Sequence, residues 1–238
     1  FGNSMQSSGN FLGTLFGSGV LLFLYTVIGW QQLMFVLSGI VLVALIPVGG
    51  YKELRTKQES FQRRNRIAFS SIAGFFRQER IGKRVILLSI YYSGIIGILA
   101  MLKPYLVDLG YTIKEIAFMT GIVGTAFGAG SALLGGYILR KLGNFISLRL
   151  FAFYGCLAAC LMAFIASGHT GVFLVYTGIA LIWSAYGMAS VAIFTISMNT
   201  VRNGNEGTDY TLQIVLTHLS SLLVVVISGR IGDWIGYN

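Results

Sequence analysis

The chain has 238 residues, of which 55% are hydrophobic and only 11% charged, with a mean hydropathy of +0.76. A soluble domain is nearer a quarter charged, so an ordinary water-soluble fold is excluded and lipid is the expected solvent. The net charge of +9 is then explained first by membrane topology and lipid contact, which argues against a nucleic-acid partner.

The first uncharged runs, FLGTLFGSGVLLFLYTVIGW and LMFVLSGIVLVALIPVGG, are each about 20 residues, the length of a helix that crosses the hydrocarbon core. Similar runs follow, and seven spans are predicted at about 11–29, 31–50, 84–102, 114–139, 145–167, 171–199 and 208–231. They are too long and uniform for the alternating strands of a membrane barrel. The predicted fold class is all-α integral membrane. The chain opens on Phe1 and closes on Tyr237 and Asn238, just past a span, and is expected to be a fragment of something longer.

In the first span Asn3, Ser7, Asn10, Thr14, Ser18 and Tyr25 share one face at 100° per residue, with Gln6 beside them. Gly9, Gly13 and Gly17 recur every four residues, a row of small residues that predicts close helix packing. Two spans, residues 1–50, precede a basic linker at 51–83, and five spans follow over 84–238. The linker opens YKELRTKQESFQRRNR, a solvated stretch. It continues IAFSSIAGFFRQERIGKR, where Ile67, Phe75 and Phe76 among bases predict a helix lying at the interface.

The third span carries Ser89, Tyr92, Ser93 and, near its end, Lys103 beside Pro104. The fourth repeats the small-residue row as Gly124, Gly128, Ala132 and Gly136. Cys156 and Cys160, one turn apart in the fifth, read as packing residues, and His169 in the turn SGHTG reads as a surface residue. The two His and two Cys make no metal set, and no cofactor is expected. The sixth span has Tyr176, Trp183, Ser190 and Ser197 at heptad spacing with Tyr186 alongside. In the seventh, Asp209, Tyr210, Gln213, Thr217, Ser220 and Ser221 fall within about 120° of arc, with His218 at its edge.

Four helices thus each own a polar face. In lipid such faces meet one another or line a wet cavity. For a single Thr or Ser, interhelical bonding accounts for the position. The cavity reading makes Gln6, Asn10, Tyr92, Lys103, Trp183, Tyr186, Gln213 and Thr217 candidate solute-binding residues. Asp209 and His218 are candidates for proton coupling, since ionisable groups at depth are expensive and line solute or proton paths. A helix cap is the competing role for Asp209, and a neutral, backbone-bonded ring is the competing role for His218.

A weak internal repeat aligns 6–30 with 213–237: Gln6 meets Gln213, Leu12 meets Leu219, Leu15 meets Leu222, and both end on Ile-Gly-aromatic. Placing 51–84 in the cytoplasm puts Lys52, Arg55, Lys57, Arg63, Arg64, Arg66, Arg77, Arg80, Lys83, Arg84, Arg140, Lys141, Arg149 and Arg202 on that side. Only Lys103, Lys114 and Arg230 remain opposite, the asymmetry of an oriented inner-membrane protein. Embedded hydrolysis would need a nucleophile and base together. Ser18 with His218 is the pairing to consider, and no nucleophile elbow accompanies it.

The fourth span ends GGYILRKLG. Gly136, Arg140, Lys141 and Gly143 resemble the Gly-x-x-x-Arg-Lys-x-Gly signature loop of the major facilitator superfamily, without the acid of many first-half copies. The stretches MLKPYLVDLGYTIKEIAFMTGIVGTAFGAGSALLGG and EGTDYTLQ resemble the AmpG-like branch, which includes muropeptide, acetyl-CoA and siderophore permeases; KPYLVDLG leans toward the rhizobactin and pyochelin importers. The resemblance implies that the spans are helices five to eleven of twelve. The glycine rows then fall on helices five and eight, which cross between the two halves. It implies a monomeric, proton-coupled importer of an amphiphilic solute such as a siderophore or its iron chelate, not an enzyme. Muropeptide or acyl-CoA transport is the alternative, and a non-transporting receptor or inactive fragment is the alternative from another class.

Overall fold

The computed structural model describes residues 2–50 and 69–235, and its described elements are all helical. The solvent dictates this, because in hydrocarbon each backbone N–H and C=O must be satisfied internally. Helix α1 (Gly2–Thr14) passes through a π-helical stretch, Leu15–Val20, into α2 (Leu21–Gly50). At Gly29 the chain bends with φ 78° and ψ 173°, a positive-φ backbone that glycine adopts at little cost. One glycine, and no loop, separates the first two predicted spans.

The helix expected in the linker is α3 (Phe69–Phe76), with Phe75 wholly buried and Phe76 exposed. The basic stretch 51–68, with Ile67, lies outside the described residues. Next come α4 (Ile81–Asp108), the short α5 (Ile113–Ile116) and a second π-helical stretch, Ala117–Gly124, that leads into α6 (Thr125–Leu142). Then follow α7 (Asn144–Ala166), α8 (Val172–Met198) and α9 (Glu206–Ile235).

Six described helices are long and apolar enough to cross a membrane, against seven predicted. The difference lies in the first segment. The first spanning stretch there is Val27–Pro47, and the helix ahead of it includes the π-helical Leu15–Val20. The multi-pass, all-helical architecture holds.

Helix α8 is the hub, in contact with α1, α4, α6, α7 and α9. Its Ile179, Ile182, Ala185, Ala189, Val191 and Ala192 have no exposed surface. Small residues let partners come close: a Cβ on Gly187 would collide with Ser131 Oγ and the Gly128 carbonyl of α6. Helix α4 packs on α9, and α1 packs on α6.

The predicted glycine face of α1 is not the one that packs among the described residues. A Cβ on Gly9, Gly13 or Gly17 would meet nothing within 4 Å. The opposite face carries the contact, with Ser4, Ser7, Ser8 and Phe11 buried. Ser8 Oγ donates to the Ala129 carbonyl at 3.1 Å, Phe11 fills the notch at Gly128, and Ser4 sits against Gly136. Knobs on α1 meet glycines on α6, so the expected glycine row is used on the fourth span alone. Farther along, the two π-helical stretches cross where a Cβ on Gly19 would lie 3.0 Å from the Gly121 carbonyl oxygen.

Candidate functional site

Five rings from four helices meet near the middle of the bundle. Phe11 (α1) lies 5.1 Å from Tyr186 and 6.3 Å from Trp183, both on α8. Trp183 and Tyr186 are 5.9 Å apart. Tyr186 is 5.9 Å from Tyr92 of α4, and Tyr92 is 5.7 Å from the imidazole of His218 on α9. Most of these contacts are edge-on or tilted, the arrangement aromatic quadrupoles favour at about 0.5–1.5 kcal/mol per pair. The Tyr92 and Tyr186 hydroxyls approach to 3.4 Å. Counting from Glu206 at 1.5 Å per residue, His218 lies about 18 Å along its helix, well inside the bilayer. The predicted Tyr92, Trp183, Tyr186 and His218 are brought together, and Phe11 joins them.

The polar stripe of α9 goes elsewhere. Gln213 is 1% exposed, and its amide is used within the protein: Thr200 Oγ1 donates to its Oε1 at 3.3 Å, and its Nε2 donates to the Ser197 and Asp209 carbonyls, each at 3.3 Å. Thr217 donates to the Gln213 carbonyl at 2.9 Å, and Ser221 meets Ser93 of α4 at 3.3 Å. This row therefore fastens α9 to α8 and α4 by hydrogen bonds. His218 stands outside it on an exposed position, its Nδ1 2.9 Å from the Ile214 carbonyl.

Asp209 is buried and paired. Arg202, in the turn before α9, donates to it through Nη2 at 2.6 Å, Nε at 2.8 Å and its backbone N at 3.0 Å. Gln78 Nε2 adds a bond at 3.2 Å. The same guanidinium reaches the Ser71 carbonyl of α3 at 2.9 Å. Three pieces of chain are knotted here, and Asp209 acts as neither an N-cap nor a free carboxylate. The paired carboxylate holds the Arg202 proton more firmly than in water.

The turn after α6 completes the geometry. Arg140 and Lys141 lie exposed in the last turn, where cations suit the helix dipole. Gly143 follows with φ 77° and ψ 170°, a conformation that demands glycine. Residues 1–225 match the Major Facilitator Superfamily. The chain belongs to the Major Facilitator Superfamily. No solved structure matches it.

As a member of that superfamily the protein is a secondary transporter and not an enzyme. Other predicted residues of the carrier stand apart from the ring cluster. Gln6, Asn10 and Lys103 are exposed. Neither Arg140 nor Lys141 makes an ion pair among the described residues. The side chain of Ser18 lies outside the described residues. A separate apolar groove of about 450 Å³ between α4, α7 and α9 is floored by Gly94 and Gly97, and holds none of the predicted solute residues.

Sequence reasoning missed Phe11, Gln78 and Arg202. Arg202 had a usable signal: it is the one base in RNGNEGTD, seven residues from an acid that opens an apolar helix and needs a partner. Phe11 had none, since one phenylalanine in an apolar run looks like any other.

Proposed function

We propose that this transporter imports an amphiphilic, ring-bearing solute, a siderophore or its iron chelate, across a bacterial inner membrane on the proton gradient. The ring cluster of Phe11, Tyr92, Trp183, Tyr186 and His218 carries this reading. It offers stacking faces and two phenolic hydroxyls at mid-depth, which suit a catecholate or heterocycle better than a sugar or simple ion. The solute would bind between rocking halves near the bilayer midplane. The carrier would work as a monomer without a cofactor. A deletion strain grown on a panel of iron sources is expected to fail on one siderophore; a defect confined to muropeptide recycling would overturn the substrate class.

His218 is the proposed proton carrier, because imidazole is the side chain whose charge changes across the physiological range. Its Nδ1 is engaged by the Ile214 carbonyl, which leaves Nε2 to take and release the proton. His218→Gln keeps an amide hydrogen bond but carries no proton. The variant is expected to equilibrate solute without concentrating it and to lose the pH dependence of uptake. Concentrative uptake with a normal pH profile would remove His218 from coupling.

The orientation follows from the basic end, where Arg77, Lys83, Arg140, Lys141, Arg149 and Arg202 collect. Cys156 and Cys160 are exposed, so labelling needs a background in which all native cysteines are replaced. A single cysteine placed in 55–66 should then react only from the cytoplasm, and one at His169 only from outside. Reaction of both from one side would contradict the topology.

A further inference from the structure

Trp183 is held in the ring cluster by an absence of side chain. Its indole lies flat on Gly124, the last residue of the second π-helical stretch. A Cβ there would stand 2.6 Å from both Cδ1 and Nε1 and 2.9 Å from Cε2, closer than real Cβ atoms come to any neighbour. The indole N–H is buried with no hydrogen-bond partner. An unmade bond of this kind costs free energy, so the ring is not held by a polar contact. Space holds it. Directly beyond, Phe11 occupies the next glycine notch, at Gly128, so the ring has no second berth on that side.

We propose that Gly124 is a specificity-determining residue of the solute site: its bare backbone is the notch that parks the Trp183 indole, and the notch sets the width of the central path. This rests on the ring cluster being the solute site. With a methyl group at Gly124 the indole is pushed off the π-helical stretch toward Tyr186 and the path, which narrows for a bulky solute. The helix crossing itself is held elsewhere, at Gly187 and Ser131.

The test uses the full carrier with every tryptophan except Trp183, Trp30 and Trp234 included, replaced by phenylalanine, so that emission reports on one ring. Gly124→Ala is expected to shift that emission to the red and raise its quenching by acrylamide. Gly178→Ala is the control: it overpacks the same helix α8 against Ile165, also at 2.6 Å, and should leave Trp183 as in the parent. Unchanged emission in Gly124→Ala, or equal shifts in both variants, would overturn the notch.

In native-tryptophan carrier, the apparent KM for ferric 2,3-dihydroxybenzoate uptake should rise about fivefold or more with Gly124→Ala, with little change in maximal rate. In a Trp183→Phe background the same substitution should have no further effect, because the smaller ring leaves the notch empty. An equal penalty in both backgrounds would show that Gly124 does not act through Trp183. The fluorescence measurement contains no solute. Failure of the parent to take up the ferric complex would therefore count against the catecholate reading alone, while the emission shift still decides the notch.

Discussion

Gly187→Leu is expected to destroy the α6–α8 crossing while leaving membrane insertion intact. The first atoms a Cβ would meet are Ser131 Oγ and the Gly128 carbonyl oxygen, with the Gly128 carbonyl carbon at 3.1 Å. Two of these three are backbone, which cannot swing aside as a side chain can. The Ser131 hydroxyl also bonds the Gly128 carbonyl at 2.9 Å, so the new carbon drives into an existing hydrogen bond. Overpacking a tight core by one methyl costs about 1–3 kcal/mol, and leucine adds three more carbons at a site enclosed by two helices. Insertion should not suffer, since the substitution makes α8 more apolar. The measurement is the thermal midpoint and monodispersity of purified carrier. Gly130→Leu on α6 is the matched control, because a Cβ there meets nothing within 4 Å. A Gly187→Leu carrier as stable as the control would refute the crossing.

The second large effect is expected from Arg202→Ala. Asp209 has a fully buried side chain, while the Arg202 side chain keeps 29% of its surface. Removing the guanidinium strips away the bonds at 2.6 Å and 2.8 Å and leaves only the Gln78 amide and one backbone N–H on a buried carboxylate. An uncompensated buried charge is among the costliest single lesions, and the midpoint should fall by roughly 5 °C or more. Helix α3 should also come loose, because the bond to the Ser71 carbonyl goes with the same side chain. Faster proteolysis within 69–76 is the specific readout. Arg202→Lys should recover only part, since an ammonium cannot reproduce a fork that serves Asp209 and Ser71 together. Removing both charges, with Arg202→Ala and Asp209→Ala, should cost less than Arg202→Ala alone. If the double variant is the worse of the two, the pair does not act as a unit.

These expectations differ from any that the residues alone would give, and α1 shows why. Its glycines at 9, 13 and 17 and its serines at 4, 7 and 8 are both rows of small residues, on opposite sides of one helix. Either could have met α6. The serine face was chosen because Phe11 lies on it and α6 supplies a glycine to receive that ring. Such complementarity belongs to a pair of helices and is invisible in one. The polar row of α9 teaches the same point. Periodicity found the face, and Asp209, Gln213, Thr217 and Ser221 are buried as a set. Whether that face met water or another helix depended on Ser197, Thr200 and Ser93, which come from elsewhere in the chain.

The sequence by itself determined the solvent, the helical class, most of the spans, the basic end and the superfamily. It could do so because each follows from local quantities: a run of apolar residues as long as a bilayer is thick, the count of Lys and Arg in a loop, a motif within one turn. The structure alone decided which face of α1 is used, what the polar face of α9 meets, the union of five rings from four helices, and the Arg202 knot that ties α3 to α9. Those outcomes are set by close packing between segments up to 131 residues apart, where a single Cβ more or less permits or forbids contact. Local pattern carries no record of that fit.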